Sequence, residues 1–131
     1  MSDLAAQDPD VTAFWTERHL CTLTTLRGDG GPHVVPVGVT FDAAAMAAWI
    51  ITSDGSVKVG NVELGGGAAR VAVCQVDGRR WSTLEGVARV SRDPDVIADA
   101  VRRYAGRYRR PRPNPNRVAI VISVRRVLGH L

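Results

Sequence analysis

The chain of 131 residues has two cysteines, and neither has a neighbour to work with. Cys21 and Cys74 sit singly inside apolar, β-like runs, without C-x-x-C spacing, so both read as reduced core residues. No apolar run approaches the roughly 18 residues of a membrane-crossing helix, and no membrane partner is expected. Met1-Ser2-Asp3-Leu4 begins no basic segment followed by an apolar stretch, which argues against a secretory signal. Together with reduced cysteines this leads to the expectation of a cytoplasmic protein. The histidines at 19, 33 and 130 are scattered singly, so no metal is expected. Also missing are G-x-S-x-G, a P-loop, a G-x-G-x-x-G after a strand, and a cysteine with a base close by. Hydrolase and kinase chemistry therefore lack carriers, and no side chain can be named as catalytic. A domain this bare suits a cofactor whose ring does the chemistry while the protein positions it.

Hydrophobic alternation supplies most of what is present. The length fits one domain, residues 1–131. Asp8-Pro9 and Asp93-Pro94 pair a capping side chain with proline at the first helical position. They predict a short helix with the stripe Val11, Phe14, Trp15, and a second with the stripe Ile97, Val101, Tyr104, Tyr108. Between them, strands are predicted over 20–26, 34–41, 47–52, 71–76 and 81–90, with a closing strand over 118–128. Ser56 is the expected N-cap of a third short helix ending at Gly65-Gly66-Gly67. The result is a mostly β fold with short helices: six antiparallel strands in a small barrel.

Three constellations carry chemical meaning. At 52–61 a strand ends, the chain turns and a helix starts, with Lys58, the only lysine beside sixteen arginines, in its first turn. Free N–H groups, the helix dipole and an ammonium suit a phosphate, although an ordinary capped helix with a solvated lysine reads the same way. Pro36 and Gly38 interrupt a strand, which marks either a bulge or a place where a flat ring lies close to backbone. His33 at that strand's start is either structural or a proton donor. Residues 102–117 hold seven arginines and no acid; without them the formal charge of +4 becomes −3. Such a concentration points to an anionic small molecule or to a plain solvated loop, and no nucleic-acid motif accompanies it.

In this order, several segments resemble the pyridoxamine 5′-phosphate oxidase-like split-barrel superfamily. They are Arg18-His19-Leu20 through Leu26-Arg27, Pro32-His33-Val34-Val35-Pro36-Val37, Ser56-x-Lys58-x-x-Asn61 and Trp81-Ser82-Thr83-Leu84-Glu85-Gly86-Val87-Ala88. The likeness covers about residues 14–128. Short length and the Arg107–Arg117 run make the chain similar to the branch that uses coenzyme F-420, an 8-hydroxy-5-deazaflavin, and within it to the biliverdin-reducing type. The resemblance implies a homodimer in which a hydride passes from reduced F-420 to a conjugated acceptor such as a bilin. It also implies that His33, Val34, Val35, Pro36 and Val37 edge the ring. Thr52, Ser56, Lys58 and Asn61 would then meet the phosphate and ribityl chain. Gln75, Arg80 and Trp81 would border ring and substrate, with Arg109, Arg110, Arg112 and Arg117 for an anionic substrate. Two alternatives stay open: an FMN-dependent oxidase or reductase of the same superfamily, and a non-catalytic carrier of flavin, deazaflavin or haem.

Overall fold

The period-two stretches become seven strands, joined by three helices, in a computed structural model that describes residues 3–131. Met1 and Ser2, part of the stretch weighed against a secretory signal, lie outside the described residues. No helix among the described residues is long and apolar enough to cross a membrane.

Helix α1 (Pro9–Thr16) starts at Asp8, whose carboxylate accepts the Asp10 N–H at 2.8 Å, and it buries Val11, Phe14 and Trp15. Strands β1 (Cys21–Leu26) and β2 (Pro32–Val37) form a hairpin. The short β3 (Thr40–Asp42) pairs with β4 (Ala47–Ser53), after which α2 spans Val57–Leu64. Strands β5 (Ala69–Asp77) and β6 (Arg80–Ser91) form a second long hairpin. Helix α3 (Pro94–Arg107) is capped by Asp93, which accepts the Asp95 N–H at 2.9 Å, and β7 (Arg117–His130) closes the sheet. All pairings are antiparallel, in the order β2-β1-β5-β6-β7-β4-β3.

Inward positions build the core. Leu23 of β1, Ile50 of β4, Val73 of β5, Leu84 of β6 and Ile120 and Ile122 of β7 are all sealed, with Val59 and Val62 of α2 packed on them. Cys21 is buried and Cys74 half-buried, and both are free thiols.

The expected strand over 34–41 is two strands, which makes the total seven instead of six. Its break falls at Gly38-Val39. A Cβ on Gly38 would lie 2.7 Å from Cε2 of Tyr104 and 3.1 Å from Cε2 of Tyr108, so only glycine lets α3 press on the chain here. At that point the backbone leaves β1 and joins β4. Strands β2 and β3 therefore form opposite edges of the sheet, yet only two residues, about 10 Å of chain from one strand end to the other, separate them. The sheet must curl until its edges meet at this corner.

Candidate functional site

The corner is also a fork. Pairing of β3 with β4 places Thr40 opposite Trp49, so continued pairing would set Gly38 opposite Ile51. Instead β2 turns away to β1, and β4 continues against β7 through Ser53. Between the limbs, β2 lacks a partner on the side away from β1, and residues 50–53 of β4 lack one on the β3 side. A cavity of about 300 Å³ opens there. Pro36, Val37 and Gly38 line one limb, and Ile51, Thr52 and Ser53 the other. Lys58 of α2, Tyr104 of α3, and Pro111, Asn114 and Arg117 complete it.

Its charge is one-sided. Two cations line the cavity and no carboxylate does. Lys58 is half-buried with no ion-pair partner among the described residues, and burial pushes its ammonium pKa down. Arg117 donates to the Arg112 carbonyl at 2.6 Å. The proline-rich segment 109–116 is pinned over the fork by two bonds. Asn114 Nδ2 donates to Ser53 Oγ at 2.8 Å, and the Asp54 N–H donates to the Asn116 carbonyl at 2.7 Å. Arg92 anchors the turn below by bridging Asp54 and Glu63, each at 2.8 Å. Hydrogen bonds from this guanidinium hold both exposed carboxyls below their usual range.

Ser56 occupies the N-cap position with extended backbone, as expected, but its side chain makes no capping bond. Its Oγ is buried without a partner, as is Nδ1 of His33 on β2.

Of the residues assigned from sequence, the fork gathers Pro36, Val37, Thr52, Lys58 and Arg117. Ser56 precedes Lys58 by two residues and Arg109, Arg110 and Arg112 lie on the segment pinned over the fork, while the rest lie elsewhere in the chain. Val34 is exposed, while Val35 is half-buried against the core. Asn61 points to β1, where Nδ2 donates to Thr25 Oγ1 at 3.0 Å. Gln75 is sealed in the core, its amide donating to the Phe14 carbonyl at 2.9 Å. Trp81 pairs with Val76 and His130 beside the β5–β6 turn. Arg80, at the same turn, is held by Glu17 at 2.9 Å and Asp77 at 2.5 Å. Its hydrogen bond, helped by one from His19, takes the Glu17 carboxyl down to about 2. Glu17, His19 and Asp77 cluster closely enough to suggest a cation site, but the Arg80 guanidinium already occupies their company.

The arginine concentration divides in two. Arg102 and Arg103 pair with Asp99, and Arg103 also lies 3.9 Å over the Trp49 ring. Arg107 is spent inside the fold, donating to the carbonyls of Glu17 at 2.8 Å and Val39 at 2.5 Å and to Gln75 Oε1 at 2.6 Å. Arg109, Arg110, Arg112 and Arg117 have no carboxylate partner among the described residues.

Sequence reasoning missed Tyr104, Asn114, Pro111, Ile51 and Ser53 as lining residues. By its spacing Tyr104 belongs to an apolar helix stripe, and nothing local distinguishes it there from Tyr108. A larger cavity of about 460 Å³ opens on another part of the surface between Thr24, Arg70, Gly86 and Arg125, and contains none of the residues assigned from sequence.

Known proteins resemble this chain in sequence and in fold. The chain is 53% identical over 120 residues to the F420H(2)-dependent biliverdin reductase of Mycobacterium tuberculosis (strain CDC 1551 / Oshkosh), covering 92% of this chain and 85% of that one. Among solved structures, the conserved hypothetical protein Rv2991 from Mycobacterium tuberculosis superposes with a TM-score of 0.79 at 23% identity, covering 98% of this chain and 87% of its own. A protein titled F420 reductase gives a TM-score of 0.70 at 21% identity, covering 88% of this chain and 94% of its own. The heme storage protein HutZ from Vibrio cholerae gives 0.74 at 14% identity, covering 92% of each chain. Such distant likenesses speak for the fold alone. The sequence profile of the pyridoxamine 5′-phosphate oxidase family matches residues 7–131. With nearly the whole chain matched and a relative above half identity, this chain belongs to the pyridoxamine 5′-phosphate oxidase family.

Proposed function

We propose that the protein is a coenzyme F-420-dependent reductase whose acceptor is a bilin, biliverdin foremost. The observation that carries this reading is the 53% identity to a biliverdin reductase across 92% of the chain. Tested against the structure, the fork residues fit such a cofactor. Lys58 and Arg117 offer two cations to a phosphate, and the bare edges of β2 and β4 offer backbone groups to the rim of a flat ring. Ser56 Oγ, buried and unpartnered two residues before Lys58, is a further donor of the right chemistry. When bound, reduced F-420 supplies the hydride. The chain's own part is to bind the anionic group, orient the ring and keep both reactants in register. Arg109, Arg110 and Arg112, on the segment pinned over the fork, would meet the acceptor's carboxylates.

A recess of about 300 Å³ is at the lower limit for a drug-sized ligand, small for a tricyclic ring with its tail. We infer a split-barrel homodimer in the cytoplasm, with the partner copy covering the rest of the ring. His33, Val34, Val35, Asn61, Gln75, Arg80 and Trp81, away from the fork within one chain, would contribute across that junction or through neighbours.

Parallel titration of the purified protein with F-420 and FMN tests the reading. At least ten-fold preference for F-420, about 1.4 kcal/mol, is expected, with biliverdin-dependent oxidation of reduced F-420. Preference for FMN would transfer the protein to the flavin enzymes. Tight F-420 binding without turnover would make it a carrier.

A further inference from the structure

Two tyrosines, one turn of α3 apart, meet the corner where the sheet edges join. Their rings lie 4.9 Å apart at 30°, and both press on Gly38. Their hydroxyls have different fates. That of Tyr108 donates to the His19 carbonyl at 2.7 Å and accepts the Val39 N–H at 3.1 Å. Burial pushes its pKa up to about 12, so it remains a protonated structural bond. The hydroxyl of Tyr104 has no hydrogen-bond partner among the described residues, and its side chain lines the fork with Lys58 and Arg117. A cavity with two cations and no acid takes an oxyanion, and a phenol is a donor that can join them without adding charge.

We propose that Tyr104 is a ligand-contacting residue, its hydroxyl donating a hydrogen bond to the oxyanion held between Lys58 and Arg117. The oxyanion is either the phosphate of the cofactor or a carboxylate of the acceptor, which rests on the function proposed above. Gly38 serves the same end, since a Cβ there would come within 2.7 Å of the Tyr104 ring and force it to shift.

The test compares the wild type with Tyr104→Phe, which keeps the ring and removes only the hydroxyl, and with Gly38→Ala, which displaces the ring. Three quantities are measured: Kd for F-420, Kd for a deazaflavin lacking the phosphate and tail, and KM for biliverdin. Loss of one charge-assisted hydrogen bond is expected to weaken binding about 10-fold or more. A rise confined to the F-420 Kd assigns the phosphate; a rise confined to the biliverdin KM assigns the carboxylate. In both cases the affinity for tail-less deazaflavin stays unchanged in Tyr104→Phe, and Gly38→Ala shifts the same quantity. If Tyr104→Phe moves none of the three, or weakens both deazaflavins equally, the proposal is overturned. A wild type that neither binds F-420 nor reduces biliverdin would defeat the functional reading instead. Calorimetric titration with inorganic pyrophosphate then still decides Tyr104, by weaker binding in Tyr104→Phe or by none.

Discussion

Lys58 is half-covered by protein and answered by no carboxylate, so its ammonium is held at a cost that an arriving anion relieves. Lys58→Ala should therefore weaken F-420 binding about 10- to 150-fold with little change in thermal unfolding, measured by fluorescence titration and a melting curve. Unchanged affinity would return the residue to solvent. The sign of the pH dependence follows from the same burial. The cationic form binds the anion, and burial sets its pKa below the ordinary 10.5, so affinity falls as pH rises through the lowered value. The alkaline fall should begin earlier than an ordinary lysine allows, and Lys58→Ala should lose that arm of the profile. Lys58 was legible from sequence because it is a solitary lysine in a turn that opens a helix. Ser56 was legible as a cap position but not in its bonding, because whether a serine hydroxyl turns to the helix or away depends on what surrounds it. Tyr104 was not legible at all. A helical period reports which face a residue occupies, not whether that face meets core or cavity.

Among the elements, helix starts were readable because their causes are local: Asp8 and Asp93 accept N–H groups two residues on. Pro36 and Gly38 marked an interruption in 34–41, but not its division into two strands, since Val35, Val37, Val39 and Phe41 keep an unbroken alternation through the fork. What ends the strand is contact with Tyr104 and Tyr108, more than sixty residues away in sequence. The arginine-rich segment was found by its charge, whereas its anchoring by Asn114 and Asn116 was not. That anchoring matters for its role, because an element already pinned loses little freedom when a ligand arrives. Replacing Arg109, Arg110 and Arg112 together by Gln should raise KM for biliverdin several-fold while F-420 affinity changes much less, as steady-state kinetics beside cofactor titration will report. If neither moves, the segment is a solvated connector. Loss of tailed F-420 with tail-less deazaflavin retained would instead give these arginines to the cofactor.

For the molecule as a whole, composition and turn spacing led to the mostly β class. The sheet order was out of reach, since β7 inserts between β6 and β4 through pairings no local pattern encodes. The proposed dimer has its test at this scale. Light scattering of the F-420-bound protein at micromolar concentration should give twice the chain mass of 14.1 kDa, and a clean monomer would leave the fork without its second wall.

A sheet that forks leaves two bare strand edges facing each other, and bare edges recruit strands from other chains. Here one edge carries Pro36, which has no N–H to offer, and Pro111 and Asn114 stand in the opening between the limbs. An extended peptide would need a continuous run of donors and acceptors and a clear approach to it; Pro36 breaks the run along β2, and Pro111 and Asn114 stand before β4. A compact ligand needs only a few. The fork can thus stay open to small molecules without inviting the protein to polymerise through it.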